Sequence, residues 1–228
     1  SKLAALTATS MSNLTVTGAT DLTITAGIDF VDNASATAID GTLDASDFTG
    51  KLNVTIGGTD IVDITGGSAA DTIDMAGTLT SSDSIDGGDG SDTLKMNAAT
   101  LTTQFAKVSN IENVTFNAST ADTTADFSKL PAGVEKFTAD LADAADSGAK
   151  IALTVQQADG ATINLQRSAA DTGTDVGDDD GVTMAVTDTV DSTTDVLNLT
   201  LTDIGLQADR GGIDSLDAST YETINLTA

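Results

Sequence analysis

Apolar side chains alternate with hydroxyl and amide side chains in short runs along this chain. Leu14, Thr15, Val16 and Thr17 form one run, and Leu22, Thr23, Ile24 and Thr25 the next. Leu52, Asn53, Val54, Thr55 and Ile56 follow, and the pattern returns at 114–116, 151–155, 163–165, 182–186, 197–201 and 224–226. A period of two sends one set of side chains inward and the other outward, so the runs predict half-buried strands. Thr suits the outer face, because its β-branch fits an extended backbone. Gly, Asp, Asn and Ser fill the gaps, the rhythm of many short strands joined by turns. One segment departs from it. Over residues 100–110, Leu101, Phe105 and Val108 recur at i, i+4 and i+7, which predicts a short helix over one end or side of the sheets. The stretch 118–150, rich in Ala, Asp, Thr and Ser, reads as irregular loops around a short strand at 135–138. It separates a segment 1–117 from a continuing repeat segment 151–228.

Three internal repeats tie these segments together. Residues 66–75 read GGSAADTIDM and residues 87–96 read GGDGSDTLKM, an offset of 21 residues. Leu43, Asp44, Ala45 and Ser46, followed by Phe48, match Leu216, Asp217, Ala218 and Ser219, followed by Tyr221. An apolar residue then Glu leads into a strand at Ile111-Glu112, Val134-Glu135 and Tyr221-Glu222. The expected fold is therefore all-β, mainly a parallel β-helix or β-roll solenoid with one short helix. Tandem β-sandwiches are the alternative; strand spacing does not separate the two, and the 21-residue repeat favours the stacked coil.

Composition narrows the chemistry. There are 35 acidic and 9 basic residues, a formal charge of −26, which argues against nucleic acid and against a polybasic membrane contact. No run of about 18 apolar residues exists to span a membrane. The chain has no Cys and no His, so disulfides, thiolate sites and the usual general base are missing. Oxygen atoms of Asp, Glu, Asn and the backbone remain as ligands, and these suit Ca²⁺. Arg167, Arg210 and Tyr221 are too few to hold a sugar for a carboxylate-pair hydrolase, so the reading is not an enzyme. A chain that starts without Met and lacks Cys reads as a piece of a longer exported protein.

The motif that carries chemistry is GGDGSDTLK at 87–95, which satisfies every fixed position of the nonapeptide G-G-x-G-x-D-x-U-x. Gly87, Gly88 and Gly90 permit a tight turn that aims carbonyl oxygens at one point, Asp89 and Asp92 add carboxylates, and Leu94 points inward. Residues 66–74 form a near copy, with Gly66, Gly67 and Asp71 in place but Ala69 where the motif has Gly. A degenerate copy starts at Gly57-Gly58, where Val62 holds the sixth position and the Asp slips to Asp63. Asp175, Asp178 and Asp180, with Gly177 and Gly181, form the densest carboxylate group and a second candidate site; Val186 at the twelfth position excludes an EF-hand. Asp140, Asp143 and Asp146, spaced three apart, read as a solvated face.

On these residues the chain resembles the RTX family, the glycine- and aspartate-rich calcium-binding repeat proteins exported by Gram-negative bacteria. The resemblance is densest over 57–96. The wider texture, with the NIENVTF step at 110–116, is similar to the S-layer proteins of that group. What the resemblance implies is a parallel β-roll or β-helix that folds on binding Ca²⁺ outside the cell. It further implies self-association in a cell-surface lattice and contact with surface polysaccharide. A ligand-binding module of a large adhesin, or the calcium-binding tail of a secreted enzyme, fits the same motif. The family carries many tandem copies and this chain about two, so an irregular β-helix with scattered calcium sites is the expectation.

Overall fold

The computed structural model describes residues 1–4, 6, 11–31, 38–58, 60–97, 105–117, 124–127, 130–131, 133–140, 151–157, 160–166, 182–188, 194–202 and 213–228. Among them the protein is all-β, with no helix, and its backbone falls into two compact units.

The first unit contains β1 (Lys2–Leu3), β2 (Asn13–Thr15), β3 (Leu22–Ile28), β4 (Gly41–Asp44), β5 (Leu52–Ile56), β6 (Val62–Thr65), β7 (Thr72–Asp74), β8 (Ser84–Asp86), β9 (Thr93–Met96) and β10 (Val108–Ser109). Its odd strands pair in the order β1-β3-β5-β7-β9, and its even strands in the order β2-β4-β6-β8-β10. Every one of these pairings is parallel. The 21-residue repeat is this register: Ile73 faces Leu94, Ile64 faces Ile85 and Thr65 faces Asp86. Like residues therefore stack on like. The column Ile24, Val54, Ile73 and Leu94 is buried in one sheet, and Leu43, Ile64, Ile85 and Val108 in the other. Small branched side chains fill such columns without aromatics, which accounts for a core built on 3% aromatic content.

The strand β11 (Asn113–Asn117) begins in the first unit and ends in the second. The second unit contains β12 (Thr124–Phe127), β13 (Lys136–Asp140), β14 (Ile151–Gln157), β15 (Thr162–Gln166), β16 (Val182–Asp188), β17 (Val196–Thr202), β18 (Ile213–Asp217) and β19 (Thr223–Thr227). Its orders are β13-β15-β17-β19 and β12-β14-β16-β18, again parallel throughout. Phe137, Ile163 and Leu199 form a buried column. Parallel pairing is what a β-helix or β-roll requires; a β-sandwich is built from antiparallel sheets.

Two expectations are corrected. The helix over 100–110 is absent: residues 105–107 form a turn and Val108–Ser109 is β10. Phe105 and Val108 are buried as their apolar character demands, but Val108 packs by pairing with Ile85. The Lys107 carbonyl accepts the Ile85 N–H at 3.0 Å, a sheet bond that a helix would forgo. Residues 100–104 lie outside the described residues. Asp140 does not sit on a solvated face: it is buried and accepts a hydrogen bond from Gln166 Nε2 at 3.0 Å. Asp143 and Asp146 lie outside the described residues.

Candidate metal centre

Acidic residues recur directly before strands, and the parallel register gives them a task. In this position Asp71 precedes β7, Asp92 precedes β9, Glu112 precedes β11, Asp195 precedes β17 and Glu222 precedes β19. The carboxylates of Asp71, Asp92, Glu112 and Glu222 each take a backbone N–H from the neighbouring strand level. Asp92 Oδ1 accepts the Asp71 N–H at 2.7 Å, Glu112 Oε2 accepts the Asp92 N–H at 2.7 Å, and Glu222 Oε2 accepts the Asp195 N–H at 2.9 Å. The bonds are reciprocated by the main chain. The Asp71 carbonyl accepts the Thr93 N–H at 2.9 Å, the Asp92 carbonyl accepts the Asn113 N–H at 2.9 Å, and the Asp195 carbonyl accepts the Thr223 N–H at 3.1 Å. The even sheet uses the same device, with Asp83 Oδ1 on the Val62 N–H at 3.0 Å and Asp40 Oδ2 on the Ile61 N–H at 2.8 Å. Strand ends leave amides that the sheet cannot satisfy, and a charged acceptor binds them more strongly than a neutral one.

The two glycine-rich corners stack directly. A Cβ on Gly66 would overlap the Gly87 carbonyl oxygen, one on Gly87 the Asn110 carbonyl oxygen, and one on Gly88 the Gly67 carbonyl oxygen. Glycine is required here because neighbouring backbones occupy the space of a side chain. Gly88 and Gly90 also carry φ of 90° and 135°.

The corners differ at their carboxylates. Both oxygens of Asp71 are engaged: Oδ1 accepts the Leu52 N–H at 2.8 Å and Oδ2 the Gly67 N–H at 2.7 Å. Asp92 uses Oδ1 for the Asp71 N–H, but its Oδ2 has no hydrogen-bond partner. It is the one buried side-chain oxygen or nitrogen among the described residues left in that state. The position a Gly87 Cβ would take lies 2.8 Å from Asp92 Oδ2, beside the Asn110 carbonyl oxygen. Burial pushes the Asp92 carboxyl up to about 6; the Asp71 amide opposes this, and the charges of Asp71, Glu112 and Asp86 add to it. Burial also raises Asp60, against the Phe30 N–H bond at 2.9 Å and with help from Asp29. Asp44 is lowered by the hydroxyl and amide of Ser46.

Of the sequence candidates, Gly66, Gly67, Asp71, Gly87, Gly88, Gly90 and Asp92 come together at these corners. Asp89 is exposed and its N–H bonds the Gly67 carbonyl at 3.0 Å. Asp175, Asp178 and Asp180 lie outside the described residues. In the degenerate copy the buried acid is Asp60, not Asp63. Among the described residues no three acidic side chains converge as a metal-holding group. A cation at Asp92 would thus rest on one carboxylate oxygen, backbone carbonyls and water. The residues fit it in that sense, because a buried carboxylate oxygen with no donor calls for a positive partner. Sequence reasoning missed Asp40, Asp83 and Asp195 and the role of Glu112 and Glu222. The apolar-Glu step before a strand was the available signal for the two glutamates. Comparisons with protein-family models, curated proteins and solved structures return no match to this chain.

Proposed function

We propose that this chain is a calcium-stabilised structural segment of a secreted bacterial surface protein, not an enzyme, built as a parallel β-helix and assembling with its own copies into a surface lattice of the S-layer kind. The observation that carries the calcium reading is Asp92 Oδ2, buried without a donor in the one complete GGxGxD copy. Two further features support it. Between described residues Lys95 Nζ pairs with Asp74 Oδ2 at 3.3 Å, and with 35 acidic residues against 9 basic ones the chain lacks the cations to pair most of its carboxylates. Within each unit, the alternation of successive strands between two parallel sheets is what a coiled β-helix produces. Lattice assembly and surface location rest on the resemblance in texture. When bound, Ca²⁺ would supply positive charge at Asp92. The chain's own part is to bury that oxygen, orient it through the Asp71 N–H and Glu112, and hold the glycine backbone close.

Calorimetric titration of the chelator-treated protein with CaCl₂, paired with thermal melts, tests the reading. Saturable binding with a melting temperature that rises with Ca²⁺ is expected. An unchanged melt and no heat of binding at millimolar Ca²⁺ would refute it. Electron microscopy with and without Ca²⁺ tests assembly: ordered sheets are expected, and monodisperse particles at high protein and Ca²⁺ would refute the lattice.

A further inference from the structure

Gly67 and Gly88 hold the same place one level apart, two residues beyond the Cα partners Thr65 and Asp86 that end β6 and β8. Their amides nevertheless go different ways. The Gly67 N–H closes on Asp71 Oδ2 at 2.7 Å, whereas the Gly88 N–H turns to Asp86 Oδ1 at 3.1 Å. The second bond is a general habit of Asp at a strand end. Asp44 takes the Ser46 N–H at 3.0 Å, Asp74 the Ala76 N–H at 2.9 Å and Asp217 the Ser219 N–H at 3.2 Å, each two residues on. An Asp carboxylate competes for the i+2 amide in this way because the turn it closes is short and unstrained. Thr65 has no carboxylate to offer, so the Gly67 amide is available to the corner acid.

We infer that the residue ending the even strand decides whether a corner carboxylate is closed or open: Asp86 is a positioning residue that draws the Gly88 amide away and leaves Asp92 Oδ2 for a cation, while Thr65 lets Gly67 close Asp71. This rests on the reading of the Asp92 corner as the cation site. It deepens that reading by explaining why the complete copy is open and the near copy is not. The bond from Asn110 Nδ2 to Asp86 Oδ1, at 2.7 Å, anchors Asp86 from the next level.

The test exchanges the two residues. In Asp86→Thr the Gly88 N–H moves to Asp92 Oδ2. Its NMR amide shift changes, the melting temperature in EDTA rises, and Ca²⁺ affinity falls by at least about tenfold. Asp86→Asn keeps an acceptor oxygen for Gly88 and retains binding, which separates positioning from loss of folding. Thr65→Asp frees Asp71 Oδ2, lowers the melting temperature in EDTA and adds a second equivalent of bound Ca²⁺. An Asp86→Thr protein with an unmoved Gly88 amide and wild-type Ca²⁺ affinity overturns the inference. If the wild type itself binds no Ca²⁺, the functional reading fails. The Gly88 shift and the melts in EDTA still decide the positioning role.

Discussion

Replacing Asp92 by Asn should have opposite effects with and without Ca²⁺. Asn matches the shape of Asp. Its Oδ1 keeps accepting the Asp71 N–H, now 2.7 Å away, and its Nδ2 takes the place of the Oδ2 that has no donor. A buried carboxylate oxygen without a donor becomes part of a neutral amide, and the uncompensated charge is removed. Leaving a buried polar group unsatisfied costs roughly 1–3 kcal/mol, more when charged. Against this, the Asp71 amide loses a charged acceptor, worth about 1 kcal/mol. The net expectation in EDTA is a gain of about 1–2 kcal/mol. At this chain length that is roughly 2–8 °C in melting temperature. In Ca²⁺ at about 100 times its dissociation constant the wild type gains about 2.7 kcal/mol, and the variant forgoes it. Calorimetric melts of both proteins, in EDTA and in Ca²⁺, read the two differences. A variant less stable than wild type in EDTA would show that Asp92 Oδ2 is satisfied after all. An equal Ca²⁺ increment in both proteins would place the ion elsewhere.

Other substitutions probe the corners and the core. Without Ca²⁺, acidification should stabilise the protein through Asp92. Its folded carboxyl is raised from 3.8 to about 6, so its contribution is complete below about 4 and lost as pH rises through 6. The difference in melting temperature between wild type and Asp92→Asn should therefore shrink on going from pH 7.5 to 4.5, and a constant difference would refute the shift. Gly87→Ala should cost about 3 kcal/mol or more by denaturant melts, because its Cβ meets the Asn110 backbone. Gly77→Ala, with nothing within 4 Å of its Cβ, should be neutral or stabilising by up to about 1 kcal/mol. Glu112→Ala orphans the Asp92 N–H and should lose about 1–3 kcal/mol, with faster hydrogen exchange at that amide; Glu112→Gln, which keeps an acceptor, should lose less. Leu94→Ala empties a fully buried position in the Ile73 column and should cost about 2–5 kcal/mol in the same assay.

The longer strands were legible because alternation over five or more residues, as in Leu52–Ile56 or Val196–Thr202, needs no tertiary information. Strands of three or four residues such as Thr72–Asp74 and Ser84–Asp86 bury a single side chain, Ile73 or Ile85, and show no alternation to read. They are strands because a neighbour 21 residues away supplies their hydrogen bonds, and the repeat was the only sign of it. The helix expectation failed for the mirror-image reason. Phe105 and Val108 are both buried, but a turn feeding a two-residue strand buries residues three apart as readily as a helix does.

The acid content carries a second lesson, because it sorts by position rather than by number. Asp71, Asp83, Asp92 and Asp195 are almost wholly buried, in a chain with few cations to pair them. Calcium alone would have to neutralise every one. The structure instead binds Asp71 through two backbone amides and Asp83 through the amides of Val62 and Thr80 and the Thr80 hydroxyl. Amide dipoles at strand ends thus hold most of the buried negative charge, each carboxylate linking neighbouring levels of the sheet. Among the described residues, the buried carboxylate oxygen left without a donor is Asp92 Oδ2, at the corner where a second acid, Asp86, takes the amide that would close it. Counting aspartates in a glycine-rich motif therefore overstates its cation sites. The residue one step before the two glycines, Thr65 in one copy and Asp86 in the other, is what separates a latch from a ligand.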